Sequence, residues 1–244
     1  MKPITDLIHH SYLPPGDFAS PQFPVHKASS VFFTDVEQMR HRQWLDKSGY
    51  TYGLHGTPTT FVLEERLCQL EGAQHAVLLP SGLAALAQVN LACLKQGDEV
   101  LIPDNAYGPL KTLVQAELAN AGITHQFYDP TSPQDLASKI TARTRLVWLE
   151  APGSVSMEFP DLPEMVRCCH AKGVLCALDN TWGAGLAFKP FDLLGDAHGA
   201  GEQGSLAVDI SAHALTKYPS GGGDVLMGSI VTRSDELARV LKLS

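Results

Sequence analysis

The chain has 244 residues, 44% of them hydrophobic, which is ample for one large buried core. A formal net charge of −8 and an isoelectric point near 5.6 argue against nucleic acid as a main partner. No apolar run reaches membrane-spanning length and the start shows no charged-then-apolar leader, so no membrane is expected; five cysteines without regular spacing read as reduced thiols in a cytoplasmic protein.

Residues 1–57 show little periodicity and are punctuated by prolines 3, 14, 15, 21 and 24 and glycines 16, 49 and 53. They read as an arm, and its aromatic stretch Tyr50-Thr-Tyr-Gly-Leu-His-Gly-Thr57 calls for something to pack on, such as a neighbouring subunit. Residues 58–244 read as one domain. Thr57 caps and Pro58 opens a helix to about Gly72. From Ala76 onward, apolar strands alternate with helices. Strands are predicted at 76–80, 99–103, 123–128, 145–150 and 174–179, and helices at 82–96, 107–120, 133–140 and 162–172. Repeated βα units with apolar strands predict an α/β domain, with a largely parallel sheet covered on both faces. In such sheets ligands sit at the carboxyl ends of the strands. A loop-like stretch, 183–208, contains Gly199-Ala-Gly-Glu-Gln-Gly204, formally G-x-G-x-x-G. It follows Asp196-Ala-His and runs into the extended Ser205–Ile210, which is the wrong context for a dinucleotide. A further strand at 224–232 and a helix at 235–243 follow.

Between the last two extended stretches lies Leu215-Thr-Lys-Tyr-Pro-Ser-Gly-Gly-Gly-Asp224. Glycines let a ligand approach the backbone, and a lysine turned into a cleft is nucleophilic toward aldehydes. Asp179 ends a strand as Leu178-Asp-Asn-Thr-Trp182. Tyr107 follows another in Asp104-Asn-Ala-Tyr-Gly108, and Pro80-Ser-Gly-Leu-Ala84 joins a strand to a helix amino end. Such an end is an anion site. The histidines show no pairing with zinc-type spacing. His198 and His213, near Asp192, Asp196 and Asp209, read as solvated loop residues, and no metal is expected. The Cys168-Cys169 pair reads as core.

The Leu215–Asp224 segment resembles the signature of the Cys/Met-metabolism family of pyridoxal 5′-phosphate (PLP) enzymes, which includes cystathionine β- and γ-lyases, cystathionine γ-synthase and methionine γ-lyase. The resemblance runs from about residue 50 to 240. It implies the aspartate-aminotransferase-like fold type I, with a mostly parallel seven-stranded sheet. It also implies that Lys217 forms the Schiff base, while Ser81, Gly82, Leu83 and Thr216 hold the phosphate. Asp179 would pair with the pyridine nitrogen, and Tyr107 would stack on the ring and assist proton transfer. Tyr52 would reach the phosphate of a neighbouring subunit in a dimer or tetramer. The family's serine three residues before the lysine is here Ala214, and its arginine two residues after the arm tyrosine is Leu54. Glu150-Ala-Pro-Gly-Ser-Val-Ser-Met-Glu158 resembles bacterial β-lyases more than γ-lyases and γ-synthases. The resemblance therefore implies a β-lyase that splits cystathionine, or a related sulfur amino acid, into homocysteine, pyruvate and ammonia; γ-type activity or a non-catalytic PLP-binding remnant is the alternative. Relatives carry a further C-terminal domain with an arginine for the substrate carboxylate, so no residue of this chain is assigned that role.

Overall fold

A computed structural model describes Gly16 and residues 19–195 and 206–244. The Gly199–Gly204 stretch, with Asp196, His198 and Ser205, lies outside the described residues. The arm contributes a short helix, α1 (Val36–Arg40), with no buried residue. Helix α2 (Pro58–Glu71) starts as the sequence predicts: the Thr57 hydroxyl accepts the Thr60 N–H, and Pro58 occupies the first turn. It ends at Gly72, whose φ of 81° is left-handed and suits glycine.

The elements that follow are β1 (His75–Leu79), α3 (Gly82–Cys93), β2 (Glu99–Pro103), α4 (Gly108–Leu113), β3 (Thr124–Tyr128), α5 (Pro133–Lys139), β4 (Thr144–Glu150), α6 (Leu162–Ala171), β5 (Leu175–Asp179), β6 (Ile210–Ala214), β7 (Gly228–Thr232) and α7 (Asp235–Leu243). The sheet has seven strands in the order β1-β7-β6-β5-β4-β2-β3. Only β7 runs against its neighbours, antiparallel to both β1 and β6. Strands β1 to β6 therefore all point the same way, and their carboxyl ends share one edge.

Both faces of the sheet are dry, as near-continuous apolar strands require. Along β4 the side chains alternate. Leu146 and Trp148 join a core with Val89 of α3, Leu110 of α4 and Leu241 of α7. Val147 and Leu149 join the opposite core with Leu67 of α2, Leu136 of α5 and Met165 of α6.

Several boundaries differ from the sequence pattern, among them the strand at Ile210–Ala214, which lies at the far end of the stretch expected to be extended over 205–210. The helix expected to reach Gln96 stops at Cys93, because Leu94 turns extended (φ −118°, ψ 147°) and buries its side chain. The helix expected over 107–120 is α-helical only to Leu113 and then widens into a π turn over Val114–Leu118, keeping Val114 and Leu118 both buried. The strand expected from 224 begins at Gly228. Among the described residues no helix is long and apolar enough to cross a membrane.

Candidate active site

Each of the loops leaving β1, β2, β4, β5 and β6 contributes to one cleft of about 280 Å³. Ser81, Gly82, Leu83, Tyr107, Asp179, Thr216 and Lys217 all line it. They come from segments far apart in the chain, and the shared strand direction brings them together. Tyr52 does not line this cleft; it lies in the arm, exposed, edge-on to His55.

The amino end of α3 supplies the donors. Ser81 caps it, its hydroxyl oxygen accepting the Ala84 N–H at 3.0 Å. The Gly82 and Leu83 N–H groups of the first turn have no partner among the described residues, as expected at a helix start. Gly82 is required by close approach: a Cβ there would stand 2.5 Å from the Ala214 Cβ of β6. Thr216 ties its loop to Met227, the residue before β7. Its hydroxyl accepts the Met227 N–H at 3.3 Å and faces the Met227 carbonyl at 3.4 Å.

At the ends of β4 and β5, Glu150 and Asp179 stand directly opposite each other in register. Asp179 Oδ1 accepts both the Thr181 hydroxyl at 2.6 Å and the Thr181 N–H at 3.1 Å, leaving its second oxygen without a partner among the described residues. The Thr181 hydroxyl oxygen in turn accepts the Ala214 N–H at 3.0 Å, tying the end of β5 to β6. Burial raises the Asp179 carboxyl above its ordinary range, opposed by the Thr181 hydrogen bonds and the His213 charge. Burial, with the Asp179 charge beside it, pushes Glu150 up to about 7 against the opposing pull of Ser154 and the Tyr107 N–H. That N–H donates to Glu150 Oε2 at 2.8 Å and sets the loop carrying the Tyr107 ring. The 150–158 segment also holds this loop from outside, Asn105 Nδ2 donating to Glu158 Oε2 at 3.1 Å.

Behind the cleft wall, His213 of β6 is buried, correcting its reading as a solvated loop residue. Its Nδ1 is 3.4 Å from Glu71 Oε1. Glu71 Oε2 accepts from Asn180 and Ser211, so a buried acid on α2 anchors three residues under the site. Lys217 lies at the cleft mouth and is exposed, with Nζ 6.0 Å from the centroid of the Trp182 ring.

The arrangement fits PLP. Unclaimed helix-start amides face an anion position, and Gly82 keeps the backbone close by leaving no room for a side chain. Among the described residues Asp179 keeps one carboxyl oxygen without a hydrogen-bond partner, His213 Nε2 has none either, and an amine stands at the mouth.

Glu150, Glu71 and Trp182 were given no role from the sequence, and His213 was given the wrong one. Glu150 carries the same signal that marked Asp179, an acid closing an apolar strand. Glu71 sits four residues after Leu67 on the buried stripe of α2, where an acid is out of place.

Comparison with known proteins agrees with this geometry. The family described as Cys/Met metabolism PLP-dependent enzyme matches residues 4–244. Cystathionine beta-lyase of Bordetella avium is 34% identical, covering 98% of this chain and 59% of that protein. An L-alanine/L-glutamate racemase of Wolbachia pipientis is 36% identical over 76% of this chain and 42% of its own length. A solved Campylobacter jejuni metY structure bearing a pyridoxyl-lysine phosphate aligns with a TM-score of 0.76 at 25% identity, covering 92% of this chain and 52% of that one. The chain spans about half the length of the curated relatives it matches.

Proposed function

The chain belongs to the Cys/Met-metabolism family of PLP-dependent enzymes, and from that premise we propose a cytoplasmic carbon–sulfur β-lyase. Its substrate is cystathionine or a related sulfur amino acid, and its products are a thiol, pyruvate and ammonia. The observation that carries this reading is the convergence of Lys217, Asp179, Tyr107 and the α3 amino end in one cleft. The Pro152-Gly-Ser154 turn, which sets Ser154 on Glu150, supports β- over γ-chemistry through its resemblance to β-lyases.

When bound, PLP supplies an electron sink for charge that develops at the substrate α-carbon. Residues 58–244 would hold it. The Gly82 and Leu83 amides and the Ser81 and Thr216 hydroxyls would bind the phosphate. Asp179 would pair with the ring nitrogen and favour its protonated form, and Tyr107 would cover the ring. Lys217 would hold the aldehyde carbon through its amine and, once the substrate amine displaces it there, would be free to move the proton at the substrate α-carbon, with the Tyr107 hydroxyl as second proton carrier. The arm, 1–57, exposes Phe32, Leu54 and Tyr52; this favours a homo-oligomer in which it packs on a neighbouring copy and brings Tyr52 to that copy's phosphate.

The test is direct. With PLP added, borohydride reduction leaves a pyridoxyl label on Lys217, and cystathionine yields pyruvate and homocysteine. A label on another lysine overturns the site. Cysteine with 2-oxobutyrate moves the protein to the γ-lyases, and racemised alanine without pyruvate moves it to the racemases.

A further inference from the structure

The opposite end of the same strands carries a cluster that the cleft does not use. His170 lies in the last turn of α6, Cys176 is the second residue of β5, and Asp209 stands immediately before β6. Their donor atoms converge. Cys176 Sγ lies 3.4 Å from Asp209 Oδ2 and 3.7 Å from His170 Nε2. His170 Nε2 lies 3.5 Å from Asp209 Oδ2. A tetrahedral zinc ion, about 2.3 Å from sulfur and about 2.0 Å from nitrogen and oxygen, holds its ligand atoms about 3.3–3.6 Å apart. The observed triangle matches those edges to within about 0.2 Å. Hydrogen bonds join these groups only in pairs, whereas a central cation serves all three at once.

We infer that His170, Cys176 and Asp209 form a zinc-class metal site, with one coordination position left for water, at the end of the sheet remote from the cofactor cleft. The mixed sulfur, nitrogen and oxygen set suits zinc and is foreign to calcium or magnesium. A thiolate and a carboxylate with a neutral imidazole balance a divalent charge. The site is also braced in advance. The Cys176 N–H donates to Asp209 Oδ2 at 2.8 Å, and the Asp209 N–H donates to the Cys176 carbonyl at 3.0 Å. Cys176 is fully buried, while the His170 side chain is 41% exposed and leaves a path for ion and water. The ion clips the end of α6 to the amino ends of β5 and β6 across a long connection.

The experiment is a cobalt titration of the chelator-dialysed chain, followed by zinc. About one equivalent of Co²⁺ is expected per chain, with intense visible bands of tetrahedral cobalt and a thiolate charge-transfer band that zinc abolishes. Zinc raises the melting temperature and chelator reverses the gain. His170→Ala, partly exposed at a helix end, keeps the fold and weakens binding by at least about tenfold; Cys176→Ser removes the thiolate band, and Cys93→Ser leaves it intact. Absence of stoichiometric cobalt overturns the site. So do spectra without thiolate character, or undiminished binding in folded His170→Ala. Because the cluster shares no residue with the cleft, these outcomes leave the PLP reading untouched.

Discussion

At the carboxyl end of β5, Asp179 stands beside Glu150 in a cleft, facing a helix start and a lysine-bearing loop. At the amino end, Cys176 meets His170 and Asp209 near the surface. Both ends gather groups from separate elements, yet they are built differently. The carboxyl end is assembled from loops that each follow a strand, a placement that the parallel sheet repeats. The amino end depends on one helix terminus and one loop meeting at a strand start, with no repeated architecture behind it. The shared strand direction explains why chemistry collects on one edge of the sheet. The amino-end cluster gathers its groups on the other edge, where a helix end and a loop meet a strand start.

The largest expected effect separates the two ends. Lys217→Ala removes all borohydride-fixed label and lowers turnover by roughly 10³-fold or more. The exposed position predicts no loss of folding, and cobalt binding at the amino end stays unchanged. Loss of both functions together would mean that the two ends are not independent.

Asp179→Asn comes next. The amide oxygen can still accept from Thr181, so the tie to β6 survives. The charge on the ring nitrogen is lost, and α-proton exchange of substrate should fall by about 10²-fold with circular dichroism unchanged. Undiminished exchange would remove Asp179 from the electron-sink role.

Glu150→Gln tests the electrostatics of the cleft. The Glu150 carboxyl is held at about 7 against an ordinary 4.5. Between those values the native chain keeps a proton that the unfolded chain has lost. Stability from this group is therefore full below pH 4.5 and declines as pH rises through about 7. Gln keeps an acceptor for the Tyr107 N–H and should flatten that decline, read from urea midpoints from about pH 5 to about pH 8. Equal slopes in both proteins would show that Glu150 is not the titrating group.

Ala214→Ser is the smallest change. The Ala214 Cβ lies against Gly82 on the cleft wall, where a hydroxyl gains a place beside the phosphate donors. A single added hydrogen bond of about 1 kcal/mol should tighten PLP by several-fold, measured by fluorescence titration.

Local chemistry alone determined much of this molecule. The switch between apolar strands and helices specified an α/β sheet covered on both faces. Thr57-Pro58 and Ser81-Gly82 marked two helix starts, and the acid at the end of an apolar strand together with the Thr216-Lys217 turn marked the cleft. These features depend on residues within a few positions of one another, so their physics is complete in the sequence. The insertion of β7 between β1 and β6, the facing of Glu150 and Asp179, the burial of His213 against Glu71 and the meeting of His170, Cys176 and Asp209 are of another kind. Hydrophobic periodicity says which face of an element is buried but not which element covers it. Strand order and the pairing of distant side chains are decided only when all the elements compete for one core.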